Sequence, residues 1–288
     1  MSPSRISSPP SAGPSPLASP TLGGAQLWAD RRYRDGWRVQ EHVWTGQHRL
    51  LDPWDRRRAR GPLERCIEAL DAHAPPHDRS ASRVLLLHGL GRSRRSLAPL
   101  SRRLVQEGHE CIGLDYPSTR RPLGSLVRGL DELLGALDGE GSLHIVTHSL
   151  GGIVARALLA TPRVWMARHR PHRLVMLAPP SRGSSLASAL RISRFARLVF
   201  GPVMPELAEL EALPPPPIPF GIIAGSLRAR RGLNPLLEGD DDGVVSVRET
   251  RLPGAADFLL VEALHTFIMR EPRVLEAVPR FLAHGVFA

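Results

Sequence analysis

Ser149 stands in the run Leu143-His144-Ile145-Val146-Thr147-His148-Ser149-Leu150-Gly151-Gly152, where a short apolar strand gives way to a serine, a glycine pair and an apolar helix. A serine on a tight strand-to-helix turn projects its hydroxyl clear of both elements. The N–H groups of the turn and of the helix start lie beside it, where they stabilise an oxyanion. The chemistry this suits is nucleophilic attack on a carbonyl carbon. Gly151 lets the helix come close to the strand, since any side chain there would hold them apart. The usual pattern is G-x-S-x-G, and Thr147 fills its first place with a β-branched side chain beneath the turn. A serine before two glycines is also an ordinary helix N-cap. The assignment therefore turns on whether the chain supplies partners.

A serine hydroxyl needs a histidine to take its proton and an acid to orient that histidine. The run Gly239-Asp240-Asp241-Asp242-Gly243-Val244-Val245 forms an acidic turn after an apolar strand at Phe220 to Ala224, and Leu264-His265-Thr266-Phe267 follows the last strand. Of the 12 histidines, His265 is preferred for that position. His148 and His88 lie nearer the serine in sequence. His148 is expected to point away from the reacting side of Ser149, and His88 to brace the loop at His88-Gly89-Leu90-Gly91. The aspartate run also reads as a solvated loop or a weak calcium site. It lacks a glutamate at the twelfth loop position and a flanking helix pair, so no metal is expected. Nor is a cofactor.

The elements that must carry these residues follow from the hydrophobic pattern. Trp37 to Trp44 and Gln47 to Leu51 read as a hairpin, followed by a helix from about Pro62 to Ala72. From Val84-Leu85-Leu86-Leu87 onward, apolar strands alternate with amphipathic helices: a helix near Leu97 to Gln106, a strand near Glu110 to Leu114, a helix near Leu123 to Leu137, the strand before Ser149 and a helix from Ile153 to Ala160. Further strands are expected at Leu174 to Ala178, Phe220 to Ala224 and Phe258 to Val261. Such alternation predicts an α/β fold with a mostly parallel sheet and helices on both faces. It breaks between Pro180 and Pro219, where a cap or lid is expected at about 181–218, closed by Pro214 to Pro217. Residues 1–24 read as a disordered Ser/Pro-rich tail and 25–80 as an N-terminal extension.

Composition narrows the classes. The 288 residues, 42% of them hydrophobic, suffice for a substantial core. The two cysteines, Cys66 and Cys111, have neither disulfide-framework nor zinc spacing. With no charged-then-apolar leader and no apolar run of membrane-spanning length, a reducing, cytoplasmic setting is expected. The net charge of +10 would ordinarily suggest nucleic acid as partner. All 38 basic residues are arginine, however, and they are dispersed among acids without the interleaved aromatics that stack bases. No nucleic-acid partner is expected.

With these motifs in the order Ser, Asp, His, the chain from about Arg83 onward resembles the α/β-hydrolases of the lipase/esterase group. The likeness rests on the His88-Gly89-Leu90-Gly91 loop, the Ser149 turn, the Ala178-Pro179-Pro180-Ser181-Arg182-Gly183-Ser184 segment, the Asp242-Gly243-Val244-Val245 turn and His265. It implies an α/β-hydrolase domain over residues 81–288. It also implies that Ser149 attacks an acyl carbonyl, that His265 takes and returns the proton and that Asp242 holds the imidazole. The backbone N–H groups of Leu90 and Leu150 would hold the oxyanion. Cleavage of carboxylic esters through an acyl-enzyme is the activity implied. An acyltransferase or thioesterase on the same residues, or a catalytically silent scaffold that binds a ligand or partner, remain the alternatives.

The expected substrate is a small-molecule acyl ester or a lipid. Between Arg163 and Pro205 there are eight arginines and no acidic residue. On a helix from Leu190 to Val199, Arg191, Arg194 and Arg197 would share one side. Such a helix is either a lid that makes peripheral contact with a membrane or an anionic acyl substrate, or a cap packed on its own domain with solvated arginines.

Overall fold

The computed structural model describes residues 19–20, 25–76, 82–183, 185, 201–203, 213–227 and 232–288. Strands β1 (Ser19–Pro20), β2 (Trp28–Arg34), β3 (Trp37–His42), β4 (His48–Leu51) and β5 (Arg56–Gly61) form an antiparallel sheet in the order β1-β5-β4-β3-β2. Helix α1 (Leu63–His73) lies against it over a small core of Val39, Leu50, Cys66 and Leu70. The expected hairpin is β3 and β4, and the expected helix is α1. Strands β2 and β5 were not expected, because Trp-Ala-Asp-Arg-Arg-Tyr-Arg and Arg-Arg-Arg-Ala-Arg-Gly carry no apolar alternation. Their residues are mostly half-buried, as suits arginine stems that lie along a sheet with their heads toward water. Of the tail, Ser19 and Pro20 pair with Arg57 and Arg56, and all but these two of residues 1–24 lie outside the described residues.

The second sheet contains β6 (Arg83–Leu87), β7 (Glu110–Leu114), β8 (Gly141–His148), β9 (His169–Leu177), β10 (Phe220–Ser226) and β11 (Asp257–Glu262). All neighbours are parallel, in the order β11-β10-β9-β8-β6-β7. The continuous apolar runs become strands buried on both faces, with side chains alternating between two cores. Leu85, Leu87 and Ile145 join one core with α3 (Leu123–Gly135) and α4 (Leu150–Leu159). Val84, Leu86 and Val146 join the other with α2 (Ala98–Gln106) and α6 (Pro272–His284). The α/β expectation, with helices on both faces, therefore holds.

Connectivity places the site. The chain runs from β6 to the edge strand β7 and then crosses back to β8 on the other side of β6. The loop after β6 thus leads to α2 on one face, while the loop after β8 leads to α4 on the opposite face. The crevice between two such diverging loops is where ligands bind in open α/β sheets. Ser149 follows β8 directly. A short helix α5 (Val247–Thr250) follows the aspartate turn, capped by Ser246 and Glu249 in a capping box. Among the described residues no helix is long and apolar enough to cross a membrane.

Candidate active site

Steric exclusion builds the turn at Ser149. Ser149 has φ +52 and ψ −121, outside the ordinary regions for a residue with a Cβ, and it is held there by its N–H to the Leu177 carbonyl (2.8 Å) and by Gly152 N–H to its own carbonyl (2.9 Å). A Cβ on Gly151 would sit 2.4 Å from the carbonyl oxygen of Leu87 and 3.0 Å from that of His88, so α4 rests directly on the backbone at the end of β6. A Cβ on Gly152 would press on Pro179 and come 3.4 Å from Thr147 Oγ1. That explains the departure from the usual pattern. The Thr147 side chain is fully buried, its hydroxyl donates to the Val175 carbonyl (3.4 Å), and the absent side chain of Gly152 leaves it room.

Hydrogen bonds build the acid and imidazole. Asp242 Oδ2 accepts from His265 Nδ1 at 2.8 Å, and His265 N–H donates to the Asp242 carbonyl at 2.9 Å, so the two are joined at side chain and backbone. Asp242 Oδ1 accepts from the N–H groups of Val244 (3.0 Å) and Val245 (2.8 Å). The carboxylate is fully buried and His265 nearly so. The three aspartates are separated by their partners. Asp240 takes the Ser226 hydroxyl and Leu227 N–H, and Asp241 takes the N–H groups of Leu233, Asn234 and Gly243. Only Asp242 reaches a histidine. Among the described residues no group of three or more His, Cys, Asp or Glu side chains is arranged to hold a metal ion.

His148 and His88 lie close by in other roles. His148 Nε2 donates to the His265 carbonyl (3.0 Å), and its ring lies 4.8 Å from that of His265. Burial first, and then the electrostatic influence of the neighbouring His265 and Arg92 side chains, hold its pKa well below the ordinary histidine value. A Cβ on Gly89 would meet His148 Nδ1 at 2.8 Å and the Ser149 Cβ at 3.2 Å, so the loop after β6 touches the serine. His88 braces that loop, with its Nδ1 donating to the Gly89 carbonyl (2.8 Å) and its ring stacked on Tyr116 at 4.0 Å. The hydrogen bonds of the described residues include none from Ser149 Oγ. Such contacts are often long before a substrate tightens them.

Leu90 follows Gly89 in the loop, and Leu150 opens α4, where first-turn N–H groups have no intrahelical acceptor. Among the described residues neither N–H is given to a turn or loop carbonyl. The loop is pinned by a residue that was not singled out in the sequence. Gln26 Nε2 donates to the Arg92 carbonyl (2.7 Å), and its Oε1 accepts from the Ser118 hydroxyl (3.0 Å) and Thr119 N–H (2.8 Å), while Ser118 Oγ accepts from Gly91 N–H (2.9 Å). A glutamine among small residues ahead of a strand gives no signal of this role. Arg156 was also missed, although a lone charge in Leu-Gly-Gly-Ile-Val-Ala-Arg-Ala-Leu-Leu marks it. Its buried guanidinium donates to the carbonyls of Ser181 (2.8 Å), Leu213 and Pro214, tying together the two ends of the expected cap. The arginine helix from Leu190 to Val199, with Arg191, Arg194 and Arg197, lies outside the described residues.

A polar cleft open to solvent lies between β2 and α3 and is lined by Asp30, Glu41, Asp115, Arg121 and Arg128, among others. It holds none of Ser149, Asp242 and His265.

A doubly wound parallel sheet, a serine in a strained turn after its central strand and a buried aspartate–histidine pair beyond its last strands define an α/β protein of the hydrolase type. The chain belongs to the alpha/beta hydrolase family, whose model matches residues 84–287. A search of curated proteins by sequence found no match. The fold is similar to a Bacillus licheniformis lipase in mature form, with 17% identity, a TM-score of 0.56 and coverage of 73% of this chain and 94% of that one. It is also similar to a metagenomic carboxyl esterase, with 18% identity, a TM-score of 0.54 and coverage of 95% and 97%.

Proposed function

We propose that this protein is a serine hydrolase that cleaves carboxylic esters through an acyl-enzyme. Ser149 Oγ attacks the acyl carbonyl while His265 takes its proton. The tetrahedral intermediate collapses, the C–O bond to the alcohol breaks, and His265 protonates the leaving alkoxide. Water then attacks the acyl-enzyme with His265 again as base, which releases the acid and restores Ser149. Asp242 fixes the imidazole with its proton on Nδ1, leaving Nε2 to act. The N–H groups of Leu90 and Leu150 receive the oxyanion, and each such donor contributes about 3 kcal/mol to the transition state. The observation that carries this reading is the buried Asp242–His265 bond of 2.8 Å in a chain whose elbow serine touches the preceding loop. The lipase and esterase named above share the fold and agree with it.

The test is active-site labelling with a fluorophosphonate, followed by turnover of nitrophenyl esters of increasing acyl length. Wild type is expected to label and turn over. Ser149→Ala is expected to do neither, with activity down by about 10⁶. An unlabelled Ser149 and no turnover of any ester, amide or thioester would remove the reading.

A further inference from the structure

The loop after β6 closes as a tight turn, with Arg92 N–H on the Gly89 carbonyl (3.2 Å) and Gly91 in the left-handed region at φ +68, where glycine sits without strain. The Gly89 carbonyl also accepts from His88 Nδ1 (2.8 Å). In a trans peptide the carbonyl and the following N–H point opposite ways, so fixing the Gly89 carbonyl fixes the direction of Leu90 N–H, the oxyanion donor proposed above. On its other side Gly91 N–H donates to the Ser118 hydroxyl (2.9 Å). The aim of Leu90 N–H is therefore set by whatever holds Gly89, Gly91 and Arg92.

Gln26 holds Arg92 directly and Gly91 at one remove. Its Nε2 donates to the Arg92 carbonyl (2.7 Å), and its Oε1 accepts from Thr119 N–H (2.8 Å) and from the hydroxyls of Ser118 and Thr119 (both 3.0 Å). The Ser118 hydroxyl that donates to Gln26 is the one that accepts from Gly91. Chemistry fixes the orientation of the amide. A peptide carbonyl only accepts and a peptide N–H only donates, so the reverse placement would set like against like at Arg92 and at Thr119. Ser118 and Thr119 are buried. The backbone of Gln26 belongs to the N-terminal extension, in a single helical turn (Ala25–Leu27) ahead of β2, where the Leu27 carbonyl accepts from Val43 N–H (3.0 Å). Asp30 N–H to the Asp115 carbonyl (2.9 Å) and Asp115 N–H to Asp30 Oδ2 (2.7 Å) fasten β2 to the end of β7. The glutamine thus reaches the loop from a frame that is itself tied to the parallel sheet.

We infer that Gln26 is a positioning residue of the hydrolytic reaction: it holds the turn from Gly89 to Arg92 so that Leu90 N–H meets the oxyanion, and it makes the N-terminal extension a working part of the active site. This rests on the esterase reading and adds to it a residue that acts through the loop, not on the substrate. A group misplaced by about 1 Å can cost about a hundredfold in rate. An oxyanion donor works on the charge that develops in the transition state and does little for the bound ester, so the loss falls on kcat and spares KM.

Gln26→Glu tests this, because the carboxylate keeps an acceptor for Ser118 and Thr119 and sets its second oxygen against the Arg92 carbonyl. At about pH 8, kcat for 4-nitrophenyl hexanoate is expected to fall at least tenfold, with KM within about twofold of wild type. The inhibition constant of a trifluoromethyl ketone, which Ser149 would convert to a tetrahedral oxyanion, should rise by the factor by which kcat falls. As the pH is lowered to about 5 the new carboxyl takes up a proton and regains a donor for the Arg92 carbonyl, so the ratio of variant to wild-type kcat should climb back toward one. Gln47→Glu adds the same charge on the exposed turn between β3 and β4 and should keep wild-type kcat throughout. Gln26→Met loses the bonds without gaining a charge. It should show the fall in kcat with no return at low pH, and it decides the matter if Gln26→Glu does not fold. Wild-type kcat in a folded Gln26 variant, a loss that falls on KM, an unchanged inhibition constant or a Gln26→Glu ratio that stays flat with pH overturns the inference and leaves the esterase reading intact. If Ser149 of the wild type neither labels nor turns over any ester, both fall.

Discussion

Strand β8 carries two histidines on the same face, His144 near its start and His148 at its end, and their surroundings differ in one respect that decides their chemistry. Both are buried, and in both Nδ1 has no hydrogen-bond partner among the described residues. His144 lies edge-on to His109 (5.6 Å) and His172 (5.0 Å), and among the described residues no carboxylate is hydrogen-bonded to its ring. His148 lies against His265, which has Asp242 behind it. Burial alone drives an imidazole neutral and inert. An imidazole becomes useful as a base when a carboxylate accepts a hydrogen bond from its Nδ1–H and stabilises the cation that forms when Nε2 takes a proton. By that standard the base we propose is His265, and the surroundings of the β8 histidines are those of packing groups.

The largest effect expected from breaking this difference is at Asp242. In Asp242→Asn the amide oxygen can still accept from Val244 and Val245, so the turn should keep its shape, but the amide nitrogen would face His265 Nδ1. The imidazole then settles in the wrong tautomer, and kcat should fall by about 10⁴. Ester turnover measured beside an unchanged melting temperature checks this. A loss below tenfold would mean that the carboxylate serves only the turn.

The second prediction concerns the space around the site end of β8. Gly151→Ala places a methyl 2.4 Å from a backbone oxygen that has no freedom to move, and should destabilise the fold by about 3 kcal/mol. Gly135, which ends α3 and has nothing within 4 Å of where its Cβ would lie, is the control. Gly135→Ala should be neutral or stabilising by a few tenths of a kcal/mol. Urea midpoints of the two variants test the contrast, and equal midpoints would show that α4 can withdraw from β6 at little cost.

The parallel sheet could be read in the sequence because its strands are buried on both faces and appear as unbroken apolar runs. The turns at Ser149 and Asp242 could be read because glycine marks them. Other parts lacked such signals. Strands β2 and β5 are arginine-rich ribbons, and the first half of β9, His-Arg-Pro-His-Arg, is polar because it begins at the exposed end of the sheet. Which aspartate of three meets a histidine depends on backbone N–H groups that approach from Leu227, Leu233 and Val245, and spacing does not encode that approach. The charges of Arg94 and Arg95 are cancelled by Asp55 and Asp115, distant in sequence or on another element, so the arginines beyond the loop after β6 look alike in the sequence.

The smallest expected effect probes the other end of β8. Burial, with the charges of His172, His109 and Arg173 added, pushes the pKa of His144 down to about 4 from an ordinary 6.5. Above pH 6.5 both folded and unfolded chains hold this ring neutral, and it makes no pH-dependent contribution. As the pH falls from 6.5 toward 4, the unfolded chain takes up a proton that the folded chain refuses, so stability is lost across that window and no further below it. The contribution at stake is on the order of 2 kcal/mol. His144→Phe keeps an aromatic ring between His109 and His172 and removes the titration. The variant should match wild type in urea midpoint near pH 7.5 within the effect of the shape change, and gain on it steadily as the pH is lowered to 4.5. Parallel curves for the two proteins would mean that His144 is protonated in the folded chain without cost, and that the two ends of β8 differ less than their neighbours suggest.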